Sequence, residues 1–363
     1  MKITVDLTSL SYHLTGMERY ALCITEQMIR IDKDNHYLLI FRDKVHETFV
    51  QYIDHDRIES VVLHGNNKLL FYQMIMPFRL YRIKSDKYIF FAFTSPILFH
   101  RKGIINTIHD CGAWDCPQAM KWLQKLYFRV TTRISAWASE SIITVSHFSK
   151  GRISKILKIK EEKIKVIYCA LPQSLVKEPG VDYEVVKRKY GLPEKYIMSL
   201  STLEPRKNLR LLFEVFMEIA DEVGYDLVLV GRNGWKMKEL LDKFKNQSRI
   251  HLTGFVEDGE VARIYQNAMC FVFPSLYEGF GMPPIEALAF GVPVLASDGA
   301  SLPEILMDRA VYFENDQADS LKEKLLGLEK SAKEMPDSLN DYQKAQYDFA
   351  VSAGKVLDLI KDK

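Results

Sequence analysis

Apolar residues along this chain gather in short continuous runs rather than in strict alternation. Seven runs fall in the first half: Ile3–Leu7, Tyr37–Phe41, Ile58–Leu63, Tyr88–Phe93, Ile104–His109, Ile142–Val145 and Ile164–Tyr168. After a gap come Tyr196–Leu200, Asp226–Val230, Ile250–Thr253, Cys270–Phe273, Pro293–Ala296 and Ala310–Phe313. Runs of this kind predict parallel strands covered on both faces. Between most of them the pattern changes to a helical period. Met17, Ala21, Ile24, Met28 and Ile31, for example, step by 4, 3, 4 and 3 and share one helix face. Strand and helix alternating in both halves predict an α/β chain of two Rossmann-like, doubly wound domains.

The gap, Leu171–Lys195, carries Pro172, Pro179, Gly180, Gly191 and Pro193 and reads as an inter-domain linker. The predicted organisation is therefore a first domain over 1–170, a linker over 171–195 and a second domain over 196–335. A C-terminal helix over 336–363 would pack back on the first domain. From about Gln317 the tail is helical and polar, with a break near Met335–Asp337.

At 363 residues, with 47% hydrophobic and 26% charged positions, the chain can bury two cores, and disorder, collagen and a disulfide scaffold are excluded. Cys23, Cys111, Cys116, Cys169 and Cys270 are scattered without metal-ligand spacing. No apolar run approaches the roughly 18 residues that a membrane-crossing helix needs. MKITVDL enters a strand pattern directly, so no signal peptide is expected and the cytoplasm is the expected compartment. The net charge of +2 hides an asymmetry. Residues 1–175 hold 25 Lys and Arg against 16 Asp and Glu, and within Arg57–Arg133 the ratio is 12 to 4. Such an excess suits an anionic partner. No nucleic-acid motif accompanies it, so a membrane face or a lipid phosphate is the expected partner rather than nucleic acid.

Ligands of open α/β sheets bind beyond the carboxyl ends of the strands, which directs attention to the loops there and to a cleft between two such domains. After Tyr196–Leu200 comes TLEPRKN (202–208), with Arg206 and Lys207 at a strand-to-helix turn. Two cations beside free helix N–H groups suit a diphosphate, although alone they equally suit a solvated basic turn. FPSLYEGFGMPPIEALAFGVPV (273–294) is more specific. Pro283 and Pro284 fit a first helical turn and Gly291 its end. Glu278 is placed on the loop and Glu286 in the first turn of that helix. Gly279 and Gly281 let backbone N–H groups approach a phosphate. Carboxylates suit vicinal hydroxyls, so together these residues read as a site for a ligand with sugars at both ends and phosphates between, a nucleotide sugar.

The same residues carry a family resemblance. TLEPRKN, LVLVGRNGW (227–235), IHLTGFV (250–256), the glutamates Glu278 and Glu286 and GVPVLASD (291–298) resemble the donor-binding domain of retaining glycosyltransferase family 4, which has the GT-B fold. In the first half, TGMERY (15–20), TIHD (107–110) and TVSHFSK (144–150) also resemble that family. The resemblance implies a GT-B fold, with two Rossmann-like domains facing across a cleft, the first binding acceptor and the second donor. It implies that Arg206 and Lys207 bind the diphosphate and neutralise it as it leaves. Glu286 would hold the ribose, and Glu278 would contact the transferred sugar with help from amides near Phe280–Met282. The backbone at Phe255–Val256 would meet the base. Gly16 would approach the phosphates or acceptor, and His109 the sugar near its reacting face. Two positions depart from the family pattern: Ser201 stands where many members carry arginine, and CAL (169–171) replaces a common asparagine-glycine.

Retention by front-face attack through an oxocarbenium-like ion pair follows from the resemblance, since no Asp or Glu is placed as a covalent nucleophile. Asp110 is a candidate base, and equally a carboxylate capping its turn. Asp32-Lys33-Asp34 and Asp54-His55-Asp56 both spell D-x-D but read as solvated turns, so no metal or other cofactor is expected. On the acceptor side Lys121, Lys125, Arg129 and Arg133 recur every four residues beside Trp122, Leu126, Phe128, Val130 and Trp137. That stripe suits a lipid-linked phosphate or an anionic membrane, and equally an ordinary amphipathic helix, while Leu69–Phe78 (LLFYQMIMPF) suits a core helix or a membrane-leaning surface. The expected activity is transfer of a hexose or deoxyhexose of the mannose, rhamnose or glucose type. The donor would be a GDP-, dTDP- or UDP-linked sugar and the acceptor a glycan or lipid-linked glycan, in cell-surface polysaccharide synthesis at the inner face of the cytoplasmic membrane. The competing readings are a GT-B phosphorylase, a nucleotide-sugar epimerase and a non-catalytic sugar-nucleotide-binding subunit.

Overall fold

A computed structural model of the chain describes residues 1–11, 14–53, 55–65, 67–171, 180–232, 234, 242–244 and 247–361. Each apolar run named above forms a strand. In the first half these are β1 (Lys2–Asp6), β2 (His36–Arg42), β3 (Ile58–Leu63), β4 (Lys87–Phe90), β5 (Ile104–Thr107), β6 (Ser141–Thr144) and β7 (Ile164–Val166). The second half holds β8 (Tyr196–Leu200), β9 (Asp226–Val230), β10 (Ile250–Gly254), β11 (Cys270–Phe273), β12 (Val294–Ser297) and β13 (Ala310–Phe313). They make two sheets, ordered β3-β2-β1-β4-β5-β6-β7 and β10-β9-β8-β11-β12-β13. Every pairing is parallel. Parallel neighbours need crossover connections, and helices on both faces explain why β4, β6 and β11 are buried at every position. In each sheet the order reverses beside the first strand, between β1 and β4 and between β8 and β11, where α/β sheets open a crevice.

The chain divides into two compact units. One comprises Met1–Trp114, Met120–Ala170 and Ala345–Lys363, and the other Asp115–Ala119 and Leu171–Lys344. This division revises two of the expected boundaries. Residues 172–179 of the proposed linker, with Pro172 and Pro179, lie outside the described residues. Tyr183–Tyr190, however, is a helix and not linker: the Asp182 side chain caps it and Gly191, at φ +62°, ends it. Its Val186 is fully buried, and Lys189 and Tyr190 both hydrogen-bond Glu260 of the helix Asp258–Gln266. Residues 336–344 stay with the second unit, where the Gln343 amide donates to the carbonyls of Ile305 and Leu306. From Ala345 onward the chain belongs to the first unit, where the last helix, Phe349–Lys361, covers the helix Gly16–Ile31 with Phe349, Ala353, Val356 and Ile360.

The second unit's core is built on the helix Leu209–Ile219, which buries Leu209, Leu212, Phe213, Phe216 and Ile219. The loops after its strands are packed closely. At Gly231, φ is +141° and an added Cβ would lie 1.8 Å from the Ser201 carbonyl oxygen. Gly231→Ala is expected to destabilise the second unit by about 3 kcal/mol through strain and collision. Gly327→Ala, at an exposed helical position where an added Cβ meets nothing within 4 Å, is expected to stabilise it by up to ~1 kcal/mol. Urea denaturation of the two variants checks both signs.

Candidate active site

The two loops at the reversal point of the second sheet carry the cations and the carboxylate singled out above. After β8 the chain forms a short 3-10 turn, Pro205–Lys207, closed by Asn208 at φ +50°. After β11 it runs through Pro274–Gly281 into the helix Met282–Ala289. Backbone bonds stitch the loops together: the Arg206 carbonyl accepts from the Leu276 amide at 2.9 Å, and the Arg206 guanidinium donates to the Tyr277 carbonyl at 2.8 Å. Ser301 Oγ lies 3.0 Å from the Glu278 carbonyl, and Ser297 Oγ donates to the Ser275 carbonyl at 2.6 Å.

Glu278 is therefore no exposed loop acid. It is buried, at 6% exposure. Its Oε1 accepts from Lys207 Nζ at 2.5 Å and Ser275 Oγ at 2.6 Å, and its Oε2 from an Arg206 nitrogen at 3.0 Å. Arg206 also pairs with Glu204 at 3.0 Å, and Lys207 Nζ lies 5.2 Å from the centre of the Phe273 ring. Burial pushes the Glu278 carboxyl up, but Arg206 and Lys207, with the hydrogen bonds from Lys207 and Ser275, overcome it and hold it at about 2. Burial likewise draws the Lys207 ammonium below its ordinary range, while Glu278 opposes that shift.

The helix that follows differs from expectation in one respect. Gly281, at φ +95°, is its cap and Met282 its first residue, so Glu286 sits in the second turn rather than the first. There it is half-buried and accepts from the Tyr265 hydroxyl at 3.3 Å. Pro283 and Pro284 have no N–H, so the unbonded amides at this helix start belong to Gly281 and Met282. Gly279 and Phe280 precede them, and Phe280 is buried. Gly291, at φ +77°, follows the helix end as expected. Val256 is buried, whereas Phe255 is 43% exposed beyond β10 with the Arg232 guanidinium 4.1 Å from its ring centre. Asn233 and Trp235 of the GRNGW segment lie outside the described residues. The Ser201 hydroxyl is buried with no hydrogen-bond partner among the described residues.

In the first unit Gly16 opens the helix Gly16–Ile31, and an added Cβ there would meet nothing within 4 Å. The Glu18 carboxylate turns back to accept from the Thr15 amide at 2.8 Å. His109 stands 2.8 Å through Nε2 from the Phe91 carbonyl and edge-on to the Tyr20 ring. Burial lowers its pKa, so it is neutral at pH 7 with the proton on Nε2 and an acceptor at Nδ1. Asp110 accepts from the Gly112 amide at 2.7 Å and so caps its turn. Asp32 is buried and accepts from Asn35, Tyr37 and the Asp34 amide, a structural turn between helix and strand. Asp54 lies outside the described residues. Lys121 is the N-cap of the helix Trp122–Ala138, and Lys125 and Arg133 follow on it. Arg129 is folded onto Trp114 and donates to the Ala113 carbonyl, lining with Arg133 an apolar groove of about 360 Å³.

The sequence motifs contained Ser275, Arg232 and Tyr20 without marking their parts, and Tyr265 lay outside them. Ser275, three residues before Glu278, was the one with a local signal.

Two parallel doubly wound sheets define the GT-B class, and similarity to known proteins agrees. Residues 182–346 match the family glycosyl transferases group 1. An O-antigen chain mannosyltransferase B of Escherichia coli is 25% identical over 343 residues, 90% of each chain. O-antigen chain mannosyltransferase RfbU of Salmonella typhimurium is 29% identical over 248 residues, 67% of this chain and 65% of its own length. Among solved structures, Anabaena Alr3699/HepE in complex with UDP and glucose superposes over 100% of both chains with a TM-score of 0.75 at 15% identity. The chain has the GT-B fold, and the match of residues 182–346 to the group 1 family supports glycosyltransferase activity.

The ion cluster has a pH signature. The Glu278 carboxyl lies below its ordinary 4.5 in the folded chain, so its stabilising contribution is complete above pH 4.5 and is lost as pH falls toward 2. Glu278→Gln is expected to flatten the loss of stability between pH 4.5 and 2, measured as urea midpoints across that range.

Proposed function

We propose that the protein transfers mannose, with retention of configuration, from a nucleoside-diphosphate sugar to a growing surface glycan or its lipid-linked precursor at the inner face of the cytoplasmic membrane. The observation that carries this reading is the Arg206–Lys207–Glu278 cluster at the reversal point of the second sheet. The names of the sequence relatives support mannose as the sugar and O-antigen synthesis as the setting. The UDP bound by the Anabaena structure supports a nucleoside diphosphate in the donor domain.

In this mechanism Lys207 and Arg206 neutralise the diphosphate as the bond from the anomeric carbon to the phosphate oxygen breaks. The nucleoside diphosphate leaves with the electron pair. The acceptor hydroxyl attacks from the same face, and its proton passes to the departing phosphate oxygen. In the free protein those cations are balanced by Glu204 and Glu278, so the diphosphate competes with two carboxylates for them. Glu278 Oε1 already has two donors, which leaves Oε2 to accept from a hydroxyl of the transferred sugar. The amides of Gly279, Gly281 and Met282 serve the phosphates, Glu286 the ribose diol, and the backbone at Phe255–Val256 the base. Neutral His109 offers Nδ1 to a sugar hydroxyl, and Gly16 leaves its helix start open to phosphate or acceptor. The positive charge that a divalent metal would otherwise supply comes from Arg206 and Lys207.

Calorimetric titration with UDP, GDP, dTDP and ADP, then with their mannose forms, tests the donor site. Saturable binding of one nucleotide that is lost in Glu286→Ala is the expected result; no binding to any of them overturns the reading. Lys207→Ala is expected to slow mannosyl transfer 100- to 1,000-fold, about 3 to 4 kcal/mol of barrier, with turnover by the parent enzyme unchanged in excess EDTA. The one-bond carbon–proton coupling at the anomeric centre of the product by NMR, compared with that of the donor, reports retention or inversion, and retention is expected.

A further inference from the structure

The helix Trp122–Ala138 is packed inside out. Its buried face is Thr131, Thr132, Ser135 and Ala136, whereas Trp122, Leu123, Leu126, Val130 and Trp137 are 44–67% exposed. Burying these large apolar side chains elsewhere would gain about 1.5–3 kcal/mol each, so an outward stripe of them indicates a surface that meets something apolar. A second such segment lies beside it. In Lys68–Arg82 the chain buries Phe71, Met76 and Leu80 but leaves Leu69, Leu70, Met74 and Phe78 46–65% exposed. Leu70, Met74 and Phe78 are spaced by four and share one helical face. Gln73 joins the segments: its amide donates to the Tyr127 hydroxyl at 2.8 Å and its oxygen accepts from the Ile97 amide at 3.0 Å.

Cations accompany both stripes. Lys121, Lys125 and Arg133 each precede an outward or half-buried apolar residue on the helix, and Arg79 and Arg82 follow Phe78 by one and four positions. Arg57–Arg133 holds 12 basic residues against 4 acidic ones. Among the described residues no helix is long and apolar enough to cross a membrane. Apolar side chains ringed by lysine and arginine match a layer with anionic headgroups above hydrocarbon.

We infer that these two segments form one membrane-docking surface of the first unit, inserting Leu70, Met74, Phe78, Trp122 and Leu126 among the acyl chains of an anionic bilayer. Lys121, Lys125, Arg79 and Arg133 contact the headgroups. This surface rests on no assumption about the donor or the reaction, and it needs both segments at once.

The test is co-sedimentation of the full chain with vesicles of phosphatidylglycerol and phosphatidylcholine, and with phosphatidylcholine alone. Binding to the anionic vesicles, weakened by raising the salt, is expected. Met74→Ser with Phe78→Ser, and separately Leu126→Ser, are each expected to lower partitioning at least tenfold, with the urea midpoint and nucleotide binding unchanged. Lys125→Gln with Arg133→Gln is expected to abolish the preference for anionic lipid. Equal partitioning of all variants, or no binding to anionic vesicles, overturns the inference. So does a dimer in solution that the serine variants dissociate without any vesicle binding by the parent, since a second copy would then be the occupant.

Discussion

A buried carboxylate is the constraint around which the second unit's site is arranged. Glu278 could not remain ionised away from water without partners, because an isolated carboxylate in a protein interior takes up a proton instead. Its two charged partners, Arg206 and Lys207, come from the far side of the crevice on the loop after β8, and Ser275 comes from its own loop. Satisfying the charge therefore ties the two loops that the sheet reversal would otherwise leave apart. The parallel sheet contributes the other half of the arrangement. All its strands end on one edge, and only beside the first strand do adjacent crossovers leave in opposite directions. Cluster and crevice coincide there, and this is why the donor chemistry is assigned to these loops rather than to other basic turns on the chain.

The second consequence concerns backbone donors. A helix start ordinarily offers several unbonded amides, but Pro283 and Pro284 remove two of them. What remains is confined to the glycine-containing stretch before the helix, whose path is set by Gly281 at φ +95° and by the Ser301 hydroxyl beneath it. An added Cβ at Gly281 would lie 2.7 Å from a Leu302 methyl, so the turn is shaped by packing as much as by backbone freedom.

The strands were legible in the sequence because each must be apolar on both faces, a requirement that few other elements share. The helix Tyr183–Tyr190 was not, since it buries only Val186 and carries Glu184, Lys187, Arg188 and Lys189; proline and glycine around it outweighed so weak a pattern. The second loop of the site was legible through its glycines and prolines, yet Glu286 was placed one turn early because the proline pair marks a helix start only to within a residue or two. The pairing of Lys207 with Glu278 spans 71 positions and has no local signal. The same is true of the Tyr265 hydroxyl on Glu286 and of Arg232 over Phe255, which depend on which strands become neighbours.

The helix Trp122–Ala138 shows a different limit. Its sequence is amphipathic in an ordinary way, and periodicity does not reveal which face turns inward. The neighbouring strand decides. Asn106 of β5 is buried and donates to the Ser135 carbonyl and the Ser139 hydroxyl, while Ser135 Oγ donates to the Ser95 carbonyl. Those buried polar groups require short hydroxylated side chains opposite them, and leucine or tryptophan there would leave them unsatisfied. The polar interior of the first unit thus selects the small face of the helix for the core. The large apolar face is left outward as a consequence of hydrogen bonding within the fold, beside cations that no carboxylate run on the same segment offsets. A soluble surface would ordinarily exchange such residues for polar ones at little cost to the fold. Their presence on two adjoining segments is the reason for placing hydrocarbon against them.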